Sequence, residues 1–228
     1  MIHAFLLSLG QLTDRPVLSV FLKSLAVTLL LFAAAGIGLW FALDATFDTY
    51  AAHWQDESGI FAAVATALLL AGAWWLLFRA IAVAVIGLFG DEVVAAVESR
   101  YYPAAHAAAR PVPLARSLAM GLGSAGRAIG VNLLLLPAYL LLIVTGVGTP
   151  ILFFAVNGWL LGRDLGDMVA ARHMPAAQLS EWRKGTTARR FALGLIGTGL
   201  FVVPVLNLVA PVLGAAMATH VFHRGRRA

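Results

Sequence analysis

The 228-residue chain is more apolar than a soluble domain: 61% of its residues are hydrophobic, 12% are charged, and its mean hydropathy is +0.88. Soluble domains carry roughly 25% charged residues, and a domain of this length cannot bury so much apolar surface. The sequence has no cysteine, which excludes disulfides, zinc–thiolate sites and thiol chemistry. These values predict an integral membrane protein.

The net charge of +5 indicates an anionic partner. Basic residues beside membrane spans set orientation and bind anionic headgroups, so we expect the lipid bilayer as partner and no nucleic acid. Residues 1–10 lack the basic start of a signal peptide, and the apolar run at 17–43 exceeds an h-region of about 7–15 residues. We therefore predict that this run is retained as a membrane helix.

Apolar windows predict four membrane segments in chain order. Residues 17–43 and 60–90 are each predicted to be one span, because a bilayer core of about 30 Å needs about 20 helical residues. Residues 128–162 and 191–222 are too long for one span and too short for two. Since helix breakers interrupt both, each is predicted to be a re-entrant hairpin of two short helices.

Prolines mark the predicted hairpin turns. The first hairpin contains TGVGTP, which ends at Pro150, and the second contains PVLNLVAP between Pro204 and Pro211, with Asn207 in its middle. Broken backbone at membrane depth is tolerated only where protein or a water-filled cavity satisfies it. Asn207 either caps backbone groups freed at the turn or lines a permeation route, since half-helix ends at the midplane bind ions in transporters.

The distribution of Lys and Arg predicts the topology. The connection at 44–57 has four acids and no Lys or Arg, whereas 163–190 has six Lys and Arg residues. If each span crosses once and each hairpin returns, all basic segments share the cytoplasmic side. We therefore predict one membrane domain, 1–228, with cytoplasmic termini and a cytoplasmic basic segment at 163–190. Residues 91–102 are predicted to form an amphipathic helix.

Three arginines are candidate anion ligands. Arg15 precedes Pro16 at a helix start, where free amides can bind an oxyanion, although an ordinary capped helix start has the same residues. Arg79 lies within an apolar run and is either functional or snorkels to the membrane boundary. Arg163 either belongs to an anion path or is an interfacial residue beside a packing face.

That packing face is formed by Gly158, Gly162 and Gly166, whose spacing of four allows close helix approach. His220 and His223 could touch one metal ion, but no acid or cysteine lies near them in the sequence. We therefore predict no metal site. No phosphate-binding glycine loop or nucleophile motif is present, so we expect neither an enzyme nor a cofactor.

Three stretches carry a family resemblance: LFGDEVVAAVESRYYP at 88–103, NGWLLGRDLGDMVAARH at 157–173, and VVPVLNLVAPVLGAAMATH at 202–220. With them, the chain resembles the CysZ family of bacterial sulfate permeases, which is related to the etoposide-induced membrane proteins. The resemblance implies an oligomeric, all-α inner-membrane protein with two long spans and two hemi-penetrating hairpins that takes up sulfate. At the positions of the family's sulfate-binding arginine pair, this chain has Ser19 and Val20.

Two functions are compatible with the sequence. The first is a permease or channel for sulfate or a similar oxyanion that uses no nucleotide. The second is a non-transporting scaffold on the same fold, which acts in membrane organisation or lipid handling or docks a partner through 163–190.

Overall fold

The computed structural model describes residues 2–11, 14–51, 64–72, 74, 90–207 and 209–225. These residues are helical or lie in turns and short connections, and none is in a strand, which confirms the all-α class for the described chain. The helices are α1 (Ile2–Gln11), α2 (Arg15–Ala51), α3 (90–101), α4 (Pro103–Ala108), α5 (Leu114–Ile143), α6 (Gly148–Ala170), α7 (Ala176–Gly185), α8 (Thr187–Val202), α9 (Pro204–Asn207) and α10 (Ala210–Gly225).

The chain divides into two compact units, and residues 21–88 form the smaller one. Most of α2 belongs to it, and large apolar side chains of this helix are exposed, such as Leu30 and Trp40. A helix that is apolar on all sides requires an apolar surrounding. Of the span predicted at 60–90, residues 64–72 and 74 are helical, and the rest, including Arg79, lies outside the described residues.

Two of the described helices are long and apolar enough to cross a membrane, as judged by length and composition. They are Arg15–Ala45 within α2 and Ala115–Ile143 within α5. The second lies partly in the predicted first hairpin, because α5 begins at Leu114 and not at 128. The difference arises because Arg116 and Arg127 end the charge-free window without ending the helix, arginine being a good helix former.

The larger unit, 1–20 with 89–228, contains both predicted hairpin sequences. Between α5 and α6 the chain turns at Gly146, whose φ of 70° lies in the left-handed region that favours glycine. The Thr145 hydroxyl accepts a hydrogen bond from the Gly148 amide at 2.8 Å at the start of α6. Pro150 is the third residue of α6, where its missing N–H leaves no intrahelical hydrogen bond unmade.

The second break lies between α8 and α10. Helix α8 ends at Val202, Pro204 begins the short α9, and Pro211 is the second residue of α10. Proline is favoured in a first helical turn, so both prolines start a helix here. Asn207 ends α9 with an exposed side chain, and its backbone N–H donates to the carbonyl of Val203 at 2.8 Å.

Helices α6 and α8 are packed with their backbones in contact. A Cβ at Gly162 would overlap the carbonyl of Arg190, and a Cβ at Gly194 would overlap that of Gly158. A Cβ at Gly166 would lie 2.7 Å from Cδ of Arg190. The glycines of the predicted packing face therefore all lie against α8. Helix α10, which is buried over most of its length, packs on α1, α6 and α8.

Candidate functional site

The first polar group of the larger unit, the arginine cluster, consists of Arg127, Arg163, Arg183 and Arg190 with Asp164 and Asp167. Asp167 on α6 is 4% exposed. It accepts hydrogen bonds from Nε and Nη2 of Arg183 on α7, at 2.8 and 2.7 Å. This two-point pairing is the strongest geometry for an arginine and a carboxylate. It ties α7 to α6.

The other aspartate of the arginine cluster, Asp164, pairs with α5. Its Oδ1 accepts from Nη2 of Arg127 at 3.1 Å, and its Oδ2 accepts from the hydroxyl of Ser124. Arg190 on α8 donates from Nη2 to the carbonyl of Arg183 at 2.7 Å, and its guanidinium lies over the ring of Trp182. Four helices therefore direct polar side chains to one place.

Arg163 occupies the middle of the arginine cluster. Its Nε lies 3.7 Å from Oδ2 of Asp167 and, within the described chain, is buried without a hydrogen-bond partner. Burial, followed by the neighbouring charges of Arg127 and Arg183, lowers the pKa of Arg163. The cluster holds four arginines and two aspartates, which leaves two positive charges uncompensated. Guanidinium groups so arranged can hold a tetrahedral oxyanion.

The second polar group, the Glu98 cluster, consists of Glu98, His173, His223, Arg172 and His106. Oε1 of the fully buried Glu98 lies 2.6 Å from Nε2 of His173 and 3.0 Å from Nε2 of His223. Its Oε2 lies 3.5 Å from Nη2 of Arg172 and 3.9 Å from Nδ1 of His106. Burial alone would raise the pKa of Glu98, but hydrogen bonds from His173 and His223 and the charge of Arg172 lower it to about 2.

Sequence reasoning missed the Glu98 cluster because its members are far apart along the chain. Glu98 is 75 residues from His173 and 125 from His223. One signal was available, since Glu98 follows Val94 by four residues and so lies on the buried face of α3. In the sequence, His220 and His223 were the two histidines weighed as ligands of one metal ion. In the structure, His223 contacts Glu98, whereas Nδ1 of His220 lies 2.8 Å from the hydroxyl of Tyr102.

The other candidate anion ligands lie elsewhere. Arg15 and Pro16 begin α2 with exposed side chains, and the preceding Asp14 pairs with Arg100 at 3.0 Å. Asn207 lies at the end of α9. Among the described residues, the hydrogen bonds and ion pairs of the arginine cluster include Arg163 but not Arg15, Pro16 or Asn207.

Comparison with known protein families identifies the family of the chain. A family model described as Sulfate transporter CysZ/Etoposide-induced protein 2.4 matches residues 4–211. The chain belongs to this family. It is therefore a membrane protein of a transporter family, which agrees with the apolar lengths of α2 and α5. No match was found among curated proteins.

Proposed function

We propose that the chain is a membrane permease or channel for sulfate or a similar oxyanion, with the arginine cluster as part of its anion path. The observation that carries this proposal is Arg163, a half-buried arginine of a sulfate-transporter-family protein whose Nε atom is itself buried without a hydrogen-bond partner in the described chain. A buried N–H that makes no hydrogen bond is costly, and the 3.7 Å ion pair of Nε with Asp167 is too long to supply one. A transient anion would satisfy it.

The surroundings of Arg163 support this role. Asp164 and Asp167 hold Arg127 and Arg183 in fixed positions, so the cluster is ordered before an anion arrives. The same aspartates limit the excess positive charge, which favours passage over permanent binding. A cavity of about 100 Å³ adjoins the cluster and is lined in part by Gly166, Arg189 and Arg190. A small anion therefore has room beside Arg189 and Arg190.

Helix lengths support re-entrant hairpins in the larger unit. Helices α8 and α10 have 16 residues each, about 24 Å of helix, whereas the bilayer core is about 30 Å thick. In α5, the charge-free part at 128–143 is equally short, whereas the whole helix, which includes Arg116 and Arg127, is long enough to cross a membrane. We propose that both hairpins enter and return from the cytoplasmic side of a bacterial inner membrane, in a homo-oligomer.

The proposed topology is testable by cysteine labelling, for which the cysteine-free chain gives no background. We expect a cysteine in place of Thr49 to react with an impermeant maleimide in intact cells, since 44–57 carries no Lys or Arg. A cysteine in place of Ala176 should react only after the cells are opened. The reverse pattern would contradict the proposed orientation.

The transport proposal is tested by sulfate uptake into liposomes that contain the purified full-length protein. We expect saturable uptake by wild type and a loss of about tenfold or more in Arg163→Gln, because one charge-assisted hydrogen bond contributes roughly 1.5–3 kcal/mol. Arg224→Gln is the matched control, with the same charge change at an exposed position outside the arginine cluster. Arg15→Ala tests the helix start as a second contributor.

Two outcomes would contradict the transport proposal. Equal uptake by Arg163→Gln and Arg224→Gln would remove the arginine cluster from the anion path. No uptake above empty liposomes by folded wild-type protein would reject transport of sulfate. The scaffold function in membrane organisation or lipid handling would then be favoured.

A further inference from the structure

We propose that Glu98, His173 and His223 form a binding site for a divalent cation of the Zn²⁺ type. One ligand atom from each residue lies within 4.8 Å of the other two, and the side chains are 0%, 5% and 7% exposed, respectively. The site does not depend on the proposed transport function. It lies in the larger unit, where α3, α10 and the turn after α6 meet.

The donor set selects the class of metal. Two imidazole nitrogens and one carboxylate oxygen are the ligands of Zn²⁺ sites that keep a fourth position for water. Imidazole suits Zn²⁺ and its first-row neighbours, whereas Mg²⁺ and Ca²⁺ require mostly oxygen ligands. We therefore expect Zn²⁺ or Co²⁺ to bind and Mg²⁺ not to bind.

The geometry needs only a small adjustment to admit the ion. Both Nε2 atoms point at the same oxygen, Oε1 of Glu98, at 2.6 and 3.0 Å. Around a tetrahedral Zn²⁺ with bonds of about 2.0–2.1 Å, ligand atoms lie roughly 3.3 Å apart. Outward movement of the ring of His173 by about 0.7 Å and of the ring of His223 by about 0.3 Å would open that space.

Aromatic neighbours orient both imidazole rings. The ring of His173 stacks on Phe222 with centroids 5.3 Å apart and an interplanar angle of 25°. The ring of His223 stacks on Tyr102 at 4.5 Å and 27°. Each nitrogen is therefore aimed by packing as well as by its hydrogen bond to Glu98. Fixed ligand orientation is what supporting residues contribute to a metal site.

The far oxygen of Glu98 gives an independent observation. Within the described chain, Oε2 and Nδ1 of His106 are both buried without a hydrogen-bond partner, and they lie 3.9 Å apart. A metal-bound water at the fourth position would give His106 a partner. Arg172, 3.5 Å from Oε2, holds the carboxylate in place, but its charge opposes a cation. We therefore expect binding that a strong chelator reverses.

The decisive experiment is a Co²⁺ titration of full-length protein in detergent, purified without a polyhistidine tag and treated with chelator. Wild type is expected to develop the visible absorption of four-coordinate Co²⁺ with a stoichiometry of one per chain, and Zn²⁺ should abolish it. Glu98→Gln and His223→Gln should lose this absorption. His220→Gln, one turn away on α10 and bonded to Tyr102, should retain it.

Two results would overturn the proposal. One is folded wild-type protein that gives no such absorption, a result that does not depend on the stability of any variant. The other is unchanged absorption in Glu98→Gln or His223→Gln, which would assign the ion to other histidines. A second readout on wild type is thermal unfolding, where Zn²⁺ but not Mg²⁺ should raise the transition temperature, because the ion joins three distant segments.

Discussion

Replacing Gly194 with alanine is expected to lower the thermal unfolding temperature of the detergent-solubilised protein by about 10 °C or more. The added Cβ would overlap the carbonyl of Gly158 and lie 2.5 Å from the amide nitrogen of Gly162. Both obstacles are backbone atoms, so no side chain can rotate away and α8 must move off α6. Overpacking costs about 1–3 kcal/mol and more against backbone, and each kcal/mol shifts a chain of this size by roughly 2–4 °C.

Gly199 provides the matched control on the same helix. A Cβ there meets no atom of the described chain within 4 Å. Gly199→Ala should therefore leave the unfolding temperature unchanged or slightly raised, since alanine is the better helix former. Fluorescence-detected unfolding and size-exclusion chromatography of both variants measure the difference. Similar behaviour of the two variants would mean that the close approach of α6 and α8 contributes little to stability.

The glycine interface shows what spacing predicts and what it leaves open. The four-residue spacing of Gly158, Gly162 and Gly166 predicts a smooth helix face that some helix can approach closely. The partner cannot be derived from that spacing, because the crossing point depends on the path of the whole chain. Gly194 is half of the contact, and the glycine spacing on α6 does not reveal it.

The contacts of the two clusters also differ in how far the sequence predicts them: contacts within one helix follow from spacing, and contacts between helices do not. Arg163 and Asp167 are four residues apart on one helix, so their pairing follows from helical spacing. The pairing of Asp167 with Arg183 depends on how α7 folds back. The Glu98 cluster requires three segments to meet across 75 and 125 residues, which local patterns do not encode. The charged residues of both clusters are also typical of an exposed cytoplasmic surface, so composition gives no sign that they are buried or half-buried.

The helices do not end where the apolar windows of the sequence end. The window that ends at 162 marks where charge begins, whereas α6 continues to Ala170. The charges beyond 162 are tolerated in the helix because Asp164 and Asp167 face arginines of other helices. An apolar window therefore predicts the depth at which a helix leaves an apolar environment. It does not predict the residue at which the helix ends.

Asp167→Asn is expected to lower the unfolding temperature by roughly 10–15 °C. The substitution removes the buried carboxylate that pairs with Arg183 at 2.7 and 2.8 Å and with Arg163 at 3.7 Å. It leaves Arg163, Arg183 and Arg190 close together with one fewer negative charge. Removing one partner of a buried ion pair costs about 3–5 kcal/mol, since the remaining charge stays desolvated.

Two further variants separate the causes of that loss. Glu181→Gln makes the same charge change at an exposed position on α7 and should leave the unfolding temperature nearly unchanged, since exposed charges contribute little. Arg183→Lys keeps the positive charge but loses the two-point geometry, so it should lie between wild type and Asp167→Asn. If Arg183→Lys equals wild type, the charge alone stabilises α7. If Asp167→Asn unfolds at the wild-type temperature, the ion pair contributes little to stability, and the packing of α6 on α8 is sufficient to hold the fold.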